Sequence, residues 1–431
     1  MRCWFYMVMG AALLMKCGYA SGQELAPPAR GTPTAATFDW LSPSSLTMVR
    51  PQDFNWSQFP LLLNVNENAG YNDNILGLPT GQNGPAHQLR GDSFAQTGVG
   101  ASTRFYSGAQ SFFADASYGV TNYTHDIAYD THRYSFDGGV DWKVGSRCHG
   151  LLEASVAQQQ MPIEQQVVPG VNNVQTRSVT ETGECRAVGD LGFVLNSGLL
   201  STTYGSLINS LNNLDAKHVQ GGVDYTLSGL DKLQFLTRFT DNRFPNRTAL
   251  PGVLLVADMQ QVDYQLFYNR TYSEKLSFLA MLGLSQPNVN SGQTGQKSDP
   301  LIPVYSVVLN WAPSTKWTIS ATASRIVSAP TSIVANSQLT NMQGATLVYH
   351  WTPKFNLQLG LSRSTYDAPQ TAVSGIASYY ANSAVTASFK ALYQLTPFTS
   401  ASASFQHVSR ESLGLSAPAN ISMVGLNFRP Y

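Results

Sequence analysis

From about residue 60 onward the chain alternates. Apolar and polar residues take turns through runs of roughly 10–14 residues, the length of a tilted membrane-spanning strand. In 131–144, Tyr134, Phe136, Gly138, Val140 and Trp142 share one phase, while Arg133, Ser135, Asp137, Gly139, Asp141 and Lys143 share the other. In 217–228, Val219, Val223, Tyr225 and Leu227 oppose His218, Gln220, Asp224 and Thr226. In 355–366, Phe355, Leu357, Leu359 and Leu361 oppose Asn356, Gln358, Gly360 and Ser362. A period of two puts successive side chains on opposite faces of a sheet, so one face meets lipid and the other water. A β-sandwich also alternates, but its outward face is polar and its strands are shorter.

Short turns punctuate these runs at Ser107-Gly108, Gly145-Ser146, Gly189-Asp190, Gly229-Leu230, Tyr272-Ser273, Pro313-Ser314, Thr352-Pro353 and Thr396-Pro397. Their mean step is about 41 residues, which marks a repeated supersecondary unit. Longer segments rich in Gly, Pro, Asn, Gln and Ser separate the units, at 74–92, 160–174, 243–258, 287–302, 327–340, 367–380 and 409–420. Strand, tight turn, strand, long loop is the plan of an outer-membrane barrel. The predicted fold is all-β: a transmembrane antiparallel up-and-down β-barrel of about 18 strands, with 16 as the alternative, porin-like and spanning 59–431. A soluble β-solenoid would need shorter repeats and gives no reason for aromatics beside every turn.

Those aromatics are Trp142, Tyr225, Tyr268, Trp311, Trp317, Tyr349, Trp351, Phe355 and Tyr393. All lie near short turns in the apolar phase, which predicts an aromatic girdle at the periplasmic interface. One strand, 175–187, breaks the rule: Glu181 shares the lipid phase of Val179, unless a bulge or a place near the loop relieves it.

The segments before the barrel read differently. Residues 1–20 are expected to be a signal peptide, with an apolar core from Trp4 to Met15 and small residues before a cut after Ala20. Lys16 before Cys17 does not suit a lipoprotein signal. Residues 21–58 carry Pro27, Pro28, Pro33, Pro43 and Pro51 and no alternation, and are expected to be a Pro-rich periplasmic tail or a small lumen insert. The chain closes on Val424 to Phe428 and then Tyr431, an aromatic-ended strand of the kind read by barrel-assembly machinery.

Charge and cysteine content sharpen the picture. Only 12% of residues are charged, against an ordinary quarter, and the formal net charge is zero. Nothing there points to nucleic acid. The predicted lumen lining holds Arg104, Arg133, Lys143, Lys232, Arg238 and Lys390 against Asp115, Asp137, Asp141, Glu153, Asp224 and Asp263. A balanced lumen suits neutral polar solutes better than ions of one sign. The same charges have a plain structural use, pairing to brace the wall. Cys148 and Cys185 sit symmetrically about the loop near residue 167, so hairpin register brings them opposite and predicts a disulfide in the oxidising periplasm.

No catalytic residue, metal site or cofactor is expected. The histidines, His87, His125, His132, His149, His218, His350 and His407, are dispersed, and no HExxH, GxSxG or paired carboxylates accompany them. His125-Asp126 and Asp130 with His132 share a loop and are the one place where a rim hydrolase would sit.

The first strand runs from Leu61 through Tyr71-Asn72-Asp73-Asn74 to Ile75, and Phe239-Thr240-Asp241-Asn242 echoes it. A first strand ending in Tyr-x-Asp-Asn resembles the outer-membrane β-barrel porins found with exopolysaccharide-biosynthesis and export systems. That resemblance implies a role in passing polar solutes, saccharides among them, or in assisting polysaccharide export. It implies oligo- or polysaccharide and periplasmic export components as partners, beside outer-membrane lipid. Asp73 and Asn74 are expected to end the strand and start a turn, with a cation or sugar contact as the alternative. A closed structural or adhesion barrel remains the other reading of function.

Overall fold

The structure is a computed structural model; it describes residues 61–75, 91–125, 127–160, 173–205, 209–247, 256–273, 275–291, 295–298, 301–329, 338–367, 383–412 and 415–429. The leader and tail at 1–58, most of the 74–92 segment and Tyr431 lie outside the described residues. So do 161–172 and 368–382.

The strands follow in order. β1 is Leu61–Asn72, β2 Asp92–Ser107, β3 Gln110–Tyr123, β4 Thr131–Val144 and β5 Cys148–Gln160. β6 is Asn173–Val188, β7 Leu191–Tyr204, β8 Leu214–Ser228, β9 Asp231–Arg243 and β10 Val256–Ser273. β11 is Leu276–Ser291, β12 Gly295–Ser298, β13 Ile302–Ser314, β14 Trp317–Ser328 and β15 Gln338–Thr352. β16 is Phe355–Asp367, β17 Ser383–Gln394, β18 Thr399–Ser412 and β19 Leu415–Phe428.

Each strand pairs antiparallel with its sequence neighbour, and β1 pairs with β19 to close the sheet. β12 is a four-residue spur that pairs only with the end of β11, while β11 goes on to pair with β13. The ring therefore has eighteen strands, as the turn spacing predicts. Closure leaves no unpaired edge, which a barrel needs where no water can satisfy the backbone.

Two chemistries make the eight tight turns. Gly108, Gly145 and Gly189 adopt φ of +62°, a left-handed conformation that glycine enters without a Cβ clash. At the other five, a hydroxyl accepts an amide two residues on. Ser228 takes Leu230 N, Ser273 takes Lys275 N, Ser314 takes Lys316 N, Thr352 takes Lys354 N and Thr396 takes Phe398 N, at 3.2–3.3 Å.

Register and exposure together fix which phase faces out. In β1, Leu61, Leu63, Val65 and Tyr71 are exposed, while Asn66 and Asn72 are buried. Carried round the ring by the pairings, the outward phase holds Val99, Phe136, Leu152, Phe193, Leu199, Val219, Phe239, Leu282, Leu361, Phe389 and Val424. Each large apolar side chain left in water forgoes roughly 1.5–3 kcal/mol. A continuous belt of them demands lipid around it.

The aromatic residues cluster on this outer surface at the turn end. Trp317 and Tyr349 have ring centroids 4.2 Å apart, and Tyr349–Trp351, Trp351–Phe355 and Phe355–Tyr393 continue the row at 6.2–6.3 Å. Trp142, Tyr225, Tyr268 and Trp311 share the outward phase on β4, β8, β10 and β13. Cys148 and Cys185 are register partners and are bonded, with Cα atoms 4.1 Å apart, on the outer face at the base of β5 and β6.

Glu181 also faces out. It pairs with Leu152 on one side and Ser197 on the other, with no register shift at either. The shift in β6 falls lower, between Arg186 and Val188. Neither a bulge nor the loop relieves it.

Candidate functional site: the inner wall

The inner side of the barrel has three distinct regions. The first carries the charges. All twelve predicted lining residues share the inward phase: Arg104, Asp115, Arg133, Asp137, Asp141, Lys143, Glu153, Asp224, Lys232, Arg238, Asp263 and Lys390. Arg104 meets Asp141 at 3.3 Å across one intervening strand. Arg238 donates to Asp263 Oδ2 from Nε at 2.9 Å and from Nη2 at 2.7 Å. Lys232 bridges Asp224 at 3.3 Å and Glu184 at 2.6 Å. These pairs run along the wall between near strands rather than across the lumen.

Amides extend the same network. Gln261 donates to Asp263 Oδ1 at 2.8 Å, Gln220 to Gln265 Oε1 at 3.0 Å, and the His218 ring meets Asn196 Oδ1 at 2.9 Å. Part-buried ion pairs of this kind need such hydrogen bonds to offset desolvation. Sequence alone missed Glu184. The β5–β6 register exposes it, because Cys185 faces out and its neighbour must face in.

The second region is the seam where β19, β1 and β2 meet. Its inward residues are amides opposite glycines. Asn64 pairs with Gly100, Asn66 with Gly98, and Asn68 with Gly425. A Cβ on any of these glycines would collide with the amide oxygen opposite, so each Asn lies flat across bare backbone. Asn68 then donates to Gln96 Oε1 at 3.3 Å, and Gln96 to Thr121 Oγ1 at 3.2 Å.

The third region is apolar. Met281 and Val304 lie in the inward phase of β11 and β13, with Phe267 and Ile302 against them. Val327 and Leu339, partners on β14 and β15, complete the cluster although they carry the outward phase of their own strands. Ala329 packs on the fully buried Met259 of β10, and Gln261 Nε2 reaches Val327 O at 3.5 Å. The loop end of the β14–β15 hairpin therefore folds inside, resting its outer face on the inner wall of β10, β11 and β13. On the β14 side β13 pairs only as far as Arg325, so Ile326–Ser328 are held by β15 alone, while β15 stays paired with β16 as far as Leu339.

At the loop-side rim, the Tyr71-Asn72-Asp73-Asn74 motif ties the first strand to the last. Asp73 accepts Asn420 N at 2.7 Å and Asn420 Nδ2 at 2.6 Å. Asp73 N donates to Asn420 O at 3.1 Å, and Asn74 Nδ2 to Pro418 O at 2.8 Å. The echo at Asp241 does something else: it pairs with Arg243 on the outer face. The rim histidines have their own partners. His125 Nδ1 meets Asp92 Oδ1 at 2.9 Å, His132 meets the Tyr118 hydroxyl at 3.0 Å, and Asp130 accepts Tyr123 N. No serine or threonine hydroxyl bonds the His125 ring among the described residues, so no nucleophile accompanies the His125–Asp92 pair there.

No protein-family model and no curated protein matches this chain. Solved outer-membrane barrels do resemble it in outline. Pseudomonas aeruginosa OccK2 (OpdF) is 11% identical, covering 86% of this chain and 98% of that one, with a TM-score of 0.46. The Bordetella pertussis alcaligin receptor FauA is 11% identical over 85% of this chain and 76% of that one, with a TM-score of 0.41. The Neisseria meningitidis iron transporter FrpB (F5-1 variant) is 10% identical over 86% and 82%, with a TM-score of 0.43. The closed ring, lipid-facing belt and turn-side aromatics make this chain a transmembrane β-barrel of the outer-membrane, porin-like class.

Proposed function

We propose that the protein is a passive channel of the bacterial outer membrane for neutral polar solutes, saccharides above all. One observation carries the reading: inward cations and carboxylates balance in number among the predicted lining residues, and Arg104–Asp141, Arg238–Asp263 and Lys232 with Asp224 and Glu184 are paired along the wall, beside many amides and hydroxyls. A lumen of one sign selects ions by field, and a compensated one does not. Eighteen strands enclose a water-filled lumen unless something fills it, and the infolded β14–β15 hairpin narrows the loop-side mouth. Residues 1–20 act in this reading as the export signal, and barrel-assembly machinery inserts the chain. Passage of exopolysaccharide, with periplasmic export components as partners, is the more specialised form of the same function.

The test is planar-bilayer conductance of the refolded protein with and without maltohexaose. A steady conductance reduced by the sugar is expected. A silent bilayer from folded protein would sink the open channel and favour the second reading, a closed structural barrel, which the infolded hairpin also suits.

A further inference from the structure

The outer face carries a charged cluster at the loop-side end of β6 to β9. Arg177, Asp215, Lys217, Asp241 and Arg243 all take the outward phase there. Part of the cluster is self-contained. Asp241 accepts Arg243 from Nε and from Nη2, both at 3.0 Å, and Asp215 accepts the Ser201 hydroxyl at 2.7 Å. Two cations are left over. Arg177 and Lys217 are exposed, and neither makes an ion pair among the described residues. Arg177 is nonetheless held in place. Gln175 donates to the Tyr134 hydroxyl at 2.6 Å and accepts Arg177 Nη2 at 3.1 Å, which fixes one edge of the guanidinium and leaves its other donors to face outward.

Height on the barrel says what these cations meet. Each stands about a dozen residues up its strand from a turn glycine, Gly189 or Gly229, whereas Trp142 of the girdle stands about three from Gly145. The roughly nine residues between those levels, at about 3.3 Å each and a tilt near 40°, rise about 23 Å, close to the height of a lipid-facing band. Arg177 and Lys217 therefore lie at the far interface, at the level of lipid headgroups. Between and below them the surface is hollow. They line a groove of about 470 Å³ together with Phe136, Val156, Val179 and Leu199. Ala154 and its register partner Gly138 are the small outward residues that make room for it.

We propose that this groove binds a phosphate-bearing lipid of the loop-side leaflet, with the phosphate between Arg177 and Lys217 and an acyl chain along Phe136, Val179 and Leu199. The inference concerns the outer face and does not rest on the channel reading. Only β7 separates the strands of the two cations, so their backbones are about 10 Å apart across the sheet and their long side chains reach one anion from opposite sides. A phosphate presents acceptor oxygens to both, and both are donors only. Cations at headgroup level attract anionic lipid, and the apolar hollow beneath them distinguishes a lipid from a soluble anion. Asp215 sits one outward position loop-ward of Lys217, so it borders the phosphate site rather than entering it.

The test is native mass spectrometry of the full folded barrel in nonionic detergent with dioleoylphosphatidic acid, against dioleoylglycerol, which has the same chains and no phosphate. Wild type is expected to hold the phosphatidic acid roughly tenfold more tightly. Arg177→Gln with Lys217→Gln removes both cations, keeps the groove and is expected to lose about that factor. Ala154→Leu fills the groove, keeps both cations and is expected to weaken binding to a similar extent. Lys354→Gln, at an exposed turn on the opposite interface, is expected to stay within about twofold of wild type. Unheated-gel mobility confirms that each variant is folded. Affinity close to wild type in the double variant or in Ala154→Leu overturns the proposal, and so does equal retention of dioleoylglycerol. An equal loss in Lys354→Gln assigns the lipid to charge at large, and displacement by excess inorganic phosphate assigns the two cations to a free anion; either result overturns the site.

Discussion

Two parts of the same inner wall could hardly differ more. Along β19, β1 and β2 it carries flat amides over glycine. Along β10, β11 and β13 it carries an apolar cluster of Met281, Val304, Phe267 and Ile302 beside the polar Gln261 and Asp263, and a neighbouring hairpin lies on it through Val327 and Leu339. Both stretches obey the same two-residue alternation. What separates them is size and company: small polar groups lie down on their own backbone, while large apolar groups on an inner wall must find something to cover them. In this barrel the cover comes from the protein itself.

The comparison breaks most visibly if the cover is removed. Val327→Asp with Leu339→Asp places two carboxylates against Met281 and Val304, at a cost of several kcal/mol. The hairpin is expected to leave the wall and single-channel conductance to rise. Unchanged conductance would mean that the hairpin is no obstacle to flow. The Cys148–Cys185 bond belongs to neither wall and serves as a control. It closes a span of 37 residues, worth about 4 kcal/mol in the chain-entropy model. Replacing both with serine is expected to lower the unfolding temperature and leave conductance and sugar block as they are. A change in conductance would show that the outer face and the lumen are coupled.

On the amide side, Asp73→Ala removes two hydrogen bonds to Asn420 made by a carboxylate, each worth about 1.5–3 kcal/mol. Stability is expected to drop at the seam, read as loss of the folded band in unheated gels, before any loss at the hairpin side. The smallest effect concerns charge. Lys232→Gln leaves Glu184 and Asp224 without their shared cation. A modest shift of reversal potential toward cation selectivity is expected in a salt gradient, with sugar block unaffected. No shift would mean that the cluster lies off the conduction path.

Much of this architecture is legible before any coordinates. The phase of 131–144 and the turn at Gly145 reappear as β4 and its left-handed glycine, because alternation and turn chemistry are local properties. Register is not local. Asn66 and Gly98 are unremarkable 32 residues apart until β1 and β2 align them. Glu184 escaped notice because both faces of β6 are polar: Arg177 and Glu181 on one, Thr176, Thr180 and Thr182 on the other. Hydropathy cannot sort such a strand. Val327 and Leu339 carry the ordinary outward phase, and nothing in their own segments reports that the hairpin turns in. The Tyr71-Asn72-Asp73-Asn74 motif was readable as the end of a strand. Its partner, at Asn420, was not.

That partner gives the motif a role in time as well as space. Asp73 and Asn74 emerge early in synthesis, and the groups they bind lie 344 to 347 residues later. Until the last strand arrives, a buried-to-be carboxylate and amide stand unmet at a raw sheet edge. Contacts so distant in sequence form late, since the loop they close is nearly the whole chain. A truncated polypeptide can build every internal hairpin and still lack this latch. The seam thus distinguishes a finished ring from an unfinished one by the bonds at Asp73 and Asn74.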